Sequence, residues 1–278
     1  MKKLGKISGI VGALALGATF ALPHGDAHAS VAAYPYNGLS GSNYSQAMNV
    51  KSQVGGVSIN KVSNPKKAGY SAVGRVTNLD GWKGHNKDSM GTGFIVGPHT
   101  YITNLHVVQD GNGKIARAQD VKMVTERNGS SHKFTFNANK IERIPGADAV
   151  MIHTRQDMSR YVKPFKLAST KTINSLRPGT QIKAPGYDKY SPNGPTDDNT
   201  KLWESHARYL KTTSNGKEIM NKQIFRSGGS GSPILTSNNQ LIGISAYGWN
   251  LNGTTGNELA GGFKFTGSVR DFIQKHTN

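Results

Sequence analysis

The sequence predicts an all-β protein on three observations. From Val57 onward short apolar or alternating runs recur, among them "YSAVGRV", "TGFIVG", "DAVMIH" and "QLIGISAY". Gly, Pro, Asn and Asp separate these runs, as is usual at turns between strands. Helical patterns do not alternate with them. Many short strands of this kind are typical of a barrel or sandwich and not of repeated β/α units.

One segment near the C-terminus has a helical pattern. We expect a helix from Ser268, with Asp271 three residues later as its capping partner. Val269, Phe272 and Ile273 fall on one face of that helix. The sequence therefore predicts a terminal helix that clamps the second half of the β structure.

The first 29 residues differ in composition from the rest. A cationic "MKKLGK" precedes the apolar run "ISGIVGALALGATFAL", and "AHA" at 27–29 fits a small-residue cleavage site. The run is shorter than the roughly 20 apolar residues that a membrane-spanning helix needs. Residues 1–29 are therefore interpreted as a signal peptide, which predicts a secreted, extracellular protein that does not stay in the membrane.

Charge and cysteine content narrow the classes of partner. The chain of 278 residues contains no cysteine, so no disulfide supports its core. Its formal net charge is +18, or +16 once residues 1–29 are removed. Such a surface attracts polyanions, for example cell-wall or host polymers. No aromatic ribonucleoprotein motif or zinc-finger spacing is present, so we expect no specific nucleic-acid ligand.

His106 is the first candidate catalytic residue. It directly follows the second strand of a predicted hairpin, "TGFIVGPHTYITNLHVV", at a strand end. An imidazole can take and return a proton near neutral pH, as a general base must. A structural role for a lone histidine stays open from this pattern alone.

Asp148 precedes the apolar strand "AVMIH" and is the second candidate. Alone, it could be a turn residue that hydrogen-bonds its own backbone. Beside a histidine, a buried carboxylate would instead fix the imidazole tautomer and stabilise the imidazolium.

Ser230 in "GGSGSP" is the third candidate, as a nucleophile. Attack on a carbonyl creates an oxyanion, which requires backbone N–H donors that side chains would obstruct. Gly228 and Ser230 would supply these donors. A flexible Gly/Ser loop is the alternative, but the buried-looking "PIL" that begins at Pro233 favours a defined turn.

The order of the candidates along the chain discriminates between folds. An α/β-hydrolase runs serine, acid, histidine and uses a G-x-S-x-G elbow, whereas position 232 here is Ser. The order His106, Asp148, Ser230 is that of double-barrel serine proteases, in agreement with the predicted β structure.

With these motifs in place the chain resembles the trypsin-like serine proteases, specifically the bacterial branch of staphylococcal glutamyl endopeptidase, serine-protease-like proteins and exfoliative toxins. The resemblance spans roughly 57–276 and rests on five ordered segments. They are "TGFIVG" with "YITNLHVV", "GADAVMI", "LWESHARYLK", "GGSGSPI" with "QLIGI", and "SVRDFIQKH".

The resemblance implies two six-stranded antiparallel β-barrels of chymotrypsin-like architecture with the active site between them. We accordingly expect a propeptide or flexible arm at 30–56, a first barrel at 57–160 and a second barrel with the terminal helix at 161–278. The resemblance also implies a zymogen, a possible role in virulence, and no metal or organic cofactor. It places the triad on His106, Asp148 and Ser230.

Two departures from the family pattern concern activity and specificity. The family usually has Asn before the serine, where this chain has Gly229, so that either Asn has been replaced or one residue has been deleted. The glycine adds backbone freedom. Glutamate-selective members use a histidine where this chain has Ser245. The residues expected to form the specificity pocket are Phe225, Arg226, Ser245, Tyr247 and Gly248.

The sequence thus predicts a monomeric secreted serine endopeptidase that acts on a protein or peptide substrate. We expect a narrow specificity like that of the exfoliative toxins, without clear preference for glutamate. The alternative is a catalytically weak or inactive homologue that binds anionic cell-wall polymers or host ligands through its positive surface.

Overall fold

The computed structural model describes residues 36–39, 41–191, 199–251 and 258–277. The expected signal peptide, 1–29, lies outside these residues. The strands are β1 (Ser58–Lys61), β2 (Val73–Asn78), β3 (Ser89–Gly97), β4 (Thr100–Thr103), β5 (Val121–Thr125), β6 (Phe134–Asn137), β7 (Lys140–Arg143), β8 (Val150–His153), β9 (Gln181–Gly186), β10 (Trp203–Thr212), β11 (Glu218–Lys222), β12 (Pro233–Thr236), β13 (Leu241–Gly248) and β14 (Ala260–Lys264). The α-helices are α1 (Gly41–Lys51), α2 (Thr170–Asn174) and α3 (Gly267–His276).

The second half of the chain forms a closed barrel of six antiparallel strands. Its order is β9-β10-β11-β14-β13-β12, and β12 pairs with β9 to close the ring. Because the barrel is closed, apolar side chains fill its interior. Those buried there include Ile182, Ile219, Ile234 and Ile242. β1 adds to this barrel along β10, so the strand at the start of the expected first domain pairs with the second half.

The first half is a curled, seven-stranded antiparallel sheet in the order β6-β5-β2-β3-β4-β8-β7. No pairing joins β6 to β7 within the described ranges, so this half is an open half-barrel and not a closed six-stranded barrel. Phe94, Ile102 and Met151 are completely buried in it. The all-β, chymotrypsin-like prediction is confirmed, with that difference in the first half.

The terminal helix exists but begins and packs differently from the prediction. It starts at Gly267 after Thr266, which makes no side-chain capping bond, so Ser268 is not the cap. Val269 and Ile273 are buried, as the pattern predicts. At its end the ring of His276 lies 3.1 Å from the Glu142 carboxylate on β7. The helix therefore contacts the first half as well as the second.

The N-terminal segment from Tyr36 to Lys51 is packed against the second half. We call it the arm; it consists of 36–39 and 41–51 and contains a 3-10 turn and α1. Ala47 is completely buried in a cluster with Leu210 and Met220. Apolar burial and hydrogen bonds therefore attach the arm to the second half. Removal of 30–56 as a propeptide stays a prediction.

Candidate active site

His106 and Asp148 are brought together by one pair of strands. β4 ends at Thr103, three residues before His106, and β8 begins at Val150, two residues after Asp148. These strands pair with Thr103 opposite Val150. His106 then lies in a short 3-10 helix, Leu105–Val108. The strand register therefore presents both side chains at the same edge of the first half.

Hydrogen bonds fix the geometry of this pair. The Nδ1 atom of His106 lies 2.6 Å from Oδ2 of Asp148, and the His106 backbone N–H donates to Oδ1 at 3.0 Å. The Asn104 side-chain amide donates to the Asp148 carbonyl oxygen at 2.7 Å. A carboxylate held at Nδ1 favours the tautomer that leaves Nε2 as a proton acceptor.

The pair is electrostatically coupled. Burial alone lowers the pKa of His106, but the charge and hydrogen bond of Asp148 outweigh it, so the pKa lies above its ordinary value. Burial alone raises the pKa of Asp148, but His106 and further hydrogen bonds outweigh it and hold the pKa below its usual value. The Asp148 side chain is 6% exposed and that of His106 is 30% exposed. The carboxylate thus stays ionised at neutral pH while the imidazole remains accessible.

Ser230 lies in the serine loop, residues 223–232 between β11 and β12. Its carbonyl oxygen accepts a hydrogen bond from the Thr92 backbone N–H on β3 at 2.7 Å, which ties the loop to the first half. A side chain at Gly91 would meet both Val107, at 2.6 Å, and the Ser230 carbonyl oxygen, at 2.9 Å. Ser230 therefore lies beside the segment that carries His106.

The Ser230 hydroxyl makes no hydrogen bond to His106 within the described part of the chain. Such contacts are often loose in a serine enzyme without substrate and tighten during reaction. The arrangement places a hydroxyl, an imidazole and a carboxylate in one region where the two halves meet.

The backbone of the serine loop contains two N–H groups without an acceptor in the described part of the chain, at Gly228 and Ser230. The Ser227 carbonyl accepts from the Lys189 N–H at 2.8 Å and the Asn199 amide at 3.0 Å. Gly228 has φ +94°, a conformation that favours glycine. The backbone N–H groups of Gly228 and Ser230 donate to no acceptor in the ranges given above. Their role as donors to an oxyanion stays a prediction.

Asp188 is a buried carboxyl beneath the serine loop that the sequence reasoning missed. Its Oδ1 accepts from the Arg226 N–H at 2.8 Å, and a Cβ on Gly229 would lie 2.5 Å from the same oxygen. Burial raises the pKa of Asp188 to about 7. A carboxyl from residue 188 thus fills the space that a side chain at 229 would need.

Two expected pocket residues are engaged inside the protein. Arg226 is 2% exposed and forms two hydrogen bonds with the Glu258 carboxylate, at 2.7 and 3.0 Å. Phe225 is 3% exposed and packs with Leu251. A side chain at Gly248 would meet the Phe225 ring at 2.8 Å. The Arg226 charge is neutralised internally, and the Phe225 ring adjoins Gly248.

Ser245 and Tyr247 lie on β13. The Ser245 carbonyl accepts from the Gly231 N–H at 2.9 Å, so β13 supports the serine loop directly. The Tyr247 hydroxyl donates to the buried Glu218 carboxylate at 2.8 Å. Both residues are nearly inaccessible, and neither presents a positive charge to a substrate.

A tyrosine from the arm reaches the same centre, and sequence reasoning missed this too. The Tyr36 hydroxyl donates to Oδ2 of Asp148 at 2.6 Å. Tyr36 stands in a Ser-, Gly-, Asn- and Tyr-rich segment, so no periodic pattern could have marked it.

Two further kinds of feature, a metal site and a membrane-spanning helix, concern the same described residues. No group of three or more His, Cys, Asp or Glu side chains among the described residues could hold a metal ion. None of the helices in those same ranges combines the length and apolar character that crossing a membrane requires.

Comparisons with known proteins agree with the all-β, chymotrypsin-like fold. Residues 71–273 match the family model named Trypsin. A Glu endopeptidase structure is 23% identical with a TM-score of 0.61, over 80% of this chain and 97% of that one. The protease Anisep from Arthrobacter nicotinovorans is 14% identical with a TM-score of 0.60, over 78% and 98%. An M. tuberculosis protease in its active form is 18% identical with a TM-score of 0.51, over 74% and 80%.

Proposed function

Because the chain belongs to the trypsin family of serine proteases, we propose that it is a serine endopeptidase with His106, Asp148 and Ser230 as its catalytic triad. The observation that carries the proposal is the 2.6 Å bond between His106 Nδ1 and Asp148 Oδ2 beside the serine loop. A buried carboxylate on that nitrogen has a direct use in serine catalysis, because it stabilises the imidazolium formed during attack.

The reaction follows from these groups. The Ser230 hydroxyl attacks the peptide carbonyl while Nε2 of His106 takes its proton, and Asp148 stabilises the positive ring. The N–H groups of Gly228 and Ser230 donate to the oxyanion of the tetrahedral intermediate. His106 returns the proton to the leaving amine, which gives an acyl-enzyme and the first product. A water molecule, deprotonated by His106, then attacks the ester, and His106 returns that proton to the Ser230 oxygen as the second product leaves.

The substrate is a protein or peptide, as the family implies, and we propose that recognition is not directed at glutamate. A glutamate side chain needs an uncompensated cation or a histidine in its pocket. Arg226 is already paired with Glu258, and position 245 is Ser. Apolar Phe225 beside Gly248 instead favours an uncharged residue before the scissile bond. We also propose that specificity is narrow, because none of the residues expected to line the pocket offers an unpaired charge to a substrate.

We also propose that the protein is exported by the signal at 1–29 and acts outside the cell as a monomer. The cationic, apolar and small-residue pattern of that segment supports export.

Cleavage profiling tests the proposed activity. The secreted protein and its Ser230→Ala variant would be incubated with a diverse peptide library and the products sequenced by mass spectrometry. We expect cuts by the wild type, few of them after glutamate, and none by the variant. Equal cleavage by both proteins would reject Ser230 as the nucleophile.

A binding protein on the same fold is the second candidate, and the net charge of +16 outside residues 1–29 favours it. This alternative predicts no turnover of any library peptide, together with polyanion binding that weakens as salt increases. Turnover that depends on Ser230 would eliminate it as the main function.

A further inference from the structure

The arm is held on the second half by a buried carboxylate. Glu218 accepts hydrogen bonds from the backbone N–H groups of Asn37, at 2.8 Å, and Gly38, at 3.4 Å. The same carboxylate accepts from the Tyr247 hydroxyl at 2.8 Å. A Cβ on Gly38 would collide with the Tyr247 hydroxyl. The first described turn of the arm is therefore fitted closely to β11 and β13.

Side chains of α1 reinforce this attachment. The Asn43 carboxamide accepts from the Ser214 N–H at 2.9 Å and from the Lys211 ammonium at 3.1 Å. Tyr44 packs its ring on Trp249 with centroids 5.3 Å apart. Together with the buried Ala47, these contacts anchor the arm at both of its ends.

The anchored arm directs Tyr36 to the catalytic carboxylate. The Tyr36 ring packs edge-on to Tyr247, with centroids 5.1 Å apart, and near Phe263, at 5.9 Å. Its hydroxyl donates to Oδ2 of Asp148, the same oxygen that faces His106 Nδ1. Tyr36 makes no hydrogen bond to His106 or Ser230 in the described ranges. It therefore contacts the acid of the triad and leaves the nucleophile and base uncovered.

We infer that Tyr36 is a positioning residue for Asp148, and that the arm is retained in the working enzyme in order to carry it. This inference rests on the proposed function. The hydroxyl fixes the orientation of the carboxylate and compensates part of its charge, while the ring fills space between the two halves. Any maturation cleavage must then fall before Tyr36, and not at the end of the 30–56 segment.

The hydrogen bond from Tyr36 to Asp148 should affect the pKa of the neighbouring His106. His106 and Tyr36 bond the Asp148 carboxylate, and Tyr247 and Glu218 lie on the other side of Tyr36. Burial, followed by the charge of Asp148, raises the pKa of Tyr36, so its hydroxyl stays protonated and donates. Loss of this donor leaves more negative charge facing His106. The imidazolium is then stabilised, and the pKa of His106 rises further.

The test uses the full chain with Tyr36→Phe, which keeps the ring and removes only the hydroxyl. We expect kcat to fall about tenfold, with KM within about twofold, because a hydrogen bond to a charged group is lost. The titration midpoint of His106, followed by NMR of its ring, should rise by about half a pH unit. Tyr44→Phe is the matched control, since it removes a hydroxyl from a ring that packs on Trp249, and it should change neither quantity.

Gly38→Ala supplies a second variant, because its methyl group would displace the arm from Tyr247 without touching the triad. It should lower kcat, as Tyr36→Phe does.

Unchanged kcat and an unchanged His106 titration midpoint in Tyr36→Phe would overturn the inference. Increased activity in either variant would also overturn it, because the arm would then be inhibitory. If the wild type shows no turnover that depends on Ser230, the proposed function fails. In that case the titration midpoint of the His106 ring, measured by NMR, decides alone whether Tyr36 positions Asp148 against His106.

Discussion

The two sides of the candidate active centre are built in different ways. His106 and Asp148 are joined through their side chains, on segments that the pairing of β4 with β8 brings together. Ser230 instead depends on backbone geometry, with a left-handed Gly228 before it and a left-handed Gly231 after it. Its position is supported from remote places, including Thr92 in the first half.

This difference separates the side chains that are proposed to react from the residues that hold the backbone of the serine loop in its conformation. On the His106 side a single side-chain substitution removes a chemical function and leaves the strands in place. On the serine side a substitution changes the fit between the loop and its supports, such as Asp188. We therefore expect large kinetic effects from substitutions of His106, Asp148 or Ser230 itself, and smaller effects, mixed with stability, from substitutions of the residues that support the serine loop.

Among the variants that keep the Ser230 hydroxyl, Asp148→Asn should have the largest effect. An amide cannot stabilise the imidazolium and favours the wrong tautomer, so kcat should fall by about 10⁴-fold with a correctly folded protein. Steady-state kinetics on the best library peptide would measure this. Asp120→Asn is a suitable control, because that carboxylate bonds Arg117 in an exposed 3-10 turn. Loss of less than tenfold in Asp148→Asn would mean that Asp148 does not serve the base.

On the serine side, the buried Asp188 should make the free energy of unfolding depend on pH. The pKa of Asp188 is about 7 in the folded protein, against an ordinary value of 3.8. Between these values the folded state holds a proton that the unfolded state has released, so stability decreases as pH rises from about 4 to about 7. Relative to Asp188→Asn, the wild type should lose about 2 kcal/mol of unfolding free energy between pH 5 and pH 8.

Urea unfolding of both proteins at the two pH values makes this comparison. Most other titrating groups are common to the two proteins, so their contributions largely cancel in the difference. A wild type that gains stability relative to Asp188→Asn over this range would show that Asp188 is ionised and well paired in the fold.

Gly229→Ala should have the smallest effect on catalysis, and that effect should depend on the contact with Asp188. Position 229 does not have a positive φ, so alanine meets a steric problem, chiefly the Asp188 oxygen at 2.5 Å and then the Arg226 carbonyl oxygen at 3.1 Å. Such overpacking costs roughly 1–3 kcal/mol, and we expect kcat/KM to fall about tenfold. In Asp188→Gly/Gly229→Ala the obstacle is gone, and most of that loss should be recovered.

Gly111→Ala provides the control for this series, because a Cβ there meets open space and φ is not positive. Additive effects in the double variant would contradict a direct contact between residues 188 and 229.

The features that could be predicted from the sequence are those carried by local patterns. Alternating runs predicted strands such as β3 and β13, and the buried face of α3 followed from Val269 and Ile273. The candidate triad was found because each residue borders an apolar strand or a glycine turn. These signals lie within a few residues of the groups that they mark.

The remaining features depend on contacts between distant segments. Tyr36 lies 112 residues from Asp148, and Asp188 lies in the turn-rich "PGYDKYSPNGP" 38 residues before Arg226. No periodicity links such partners. The addition of β1 to β10 and the open edges of the first half likewise depend on strand pairing, which the pattern of one strand does not specify.

The central claim is that His106 and Asp148 make Ser230 a nucleophile, and a fluorophosphonate probe tests it most directly. Mass-spectrometric mapping of the mature protein should locate the phosphonyl group on Ser230. Labelling should be absent in Ser230→Ala and strongly slowed in His106→Ala. An adduct on another serine, or labelling of Ser230→Ala at the wild-type rate, would contradict the assignment.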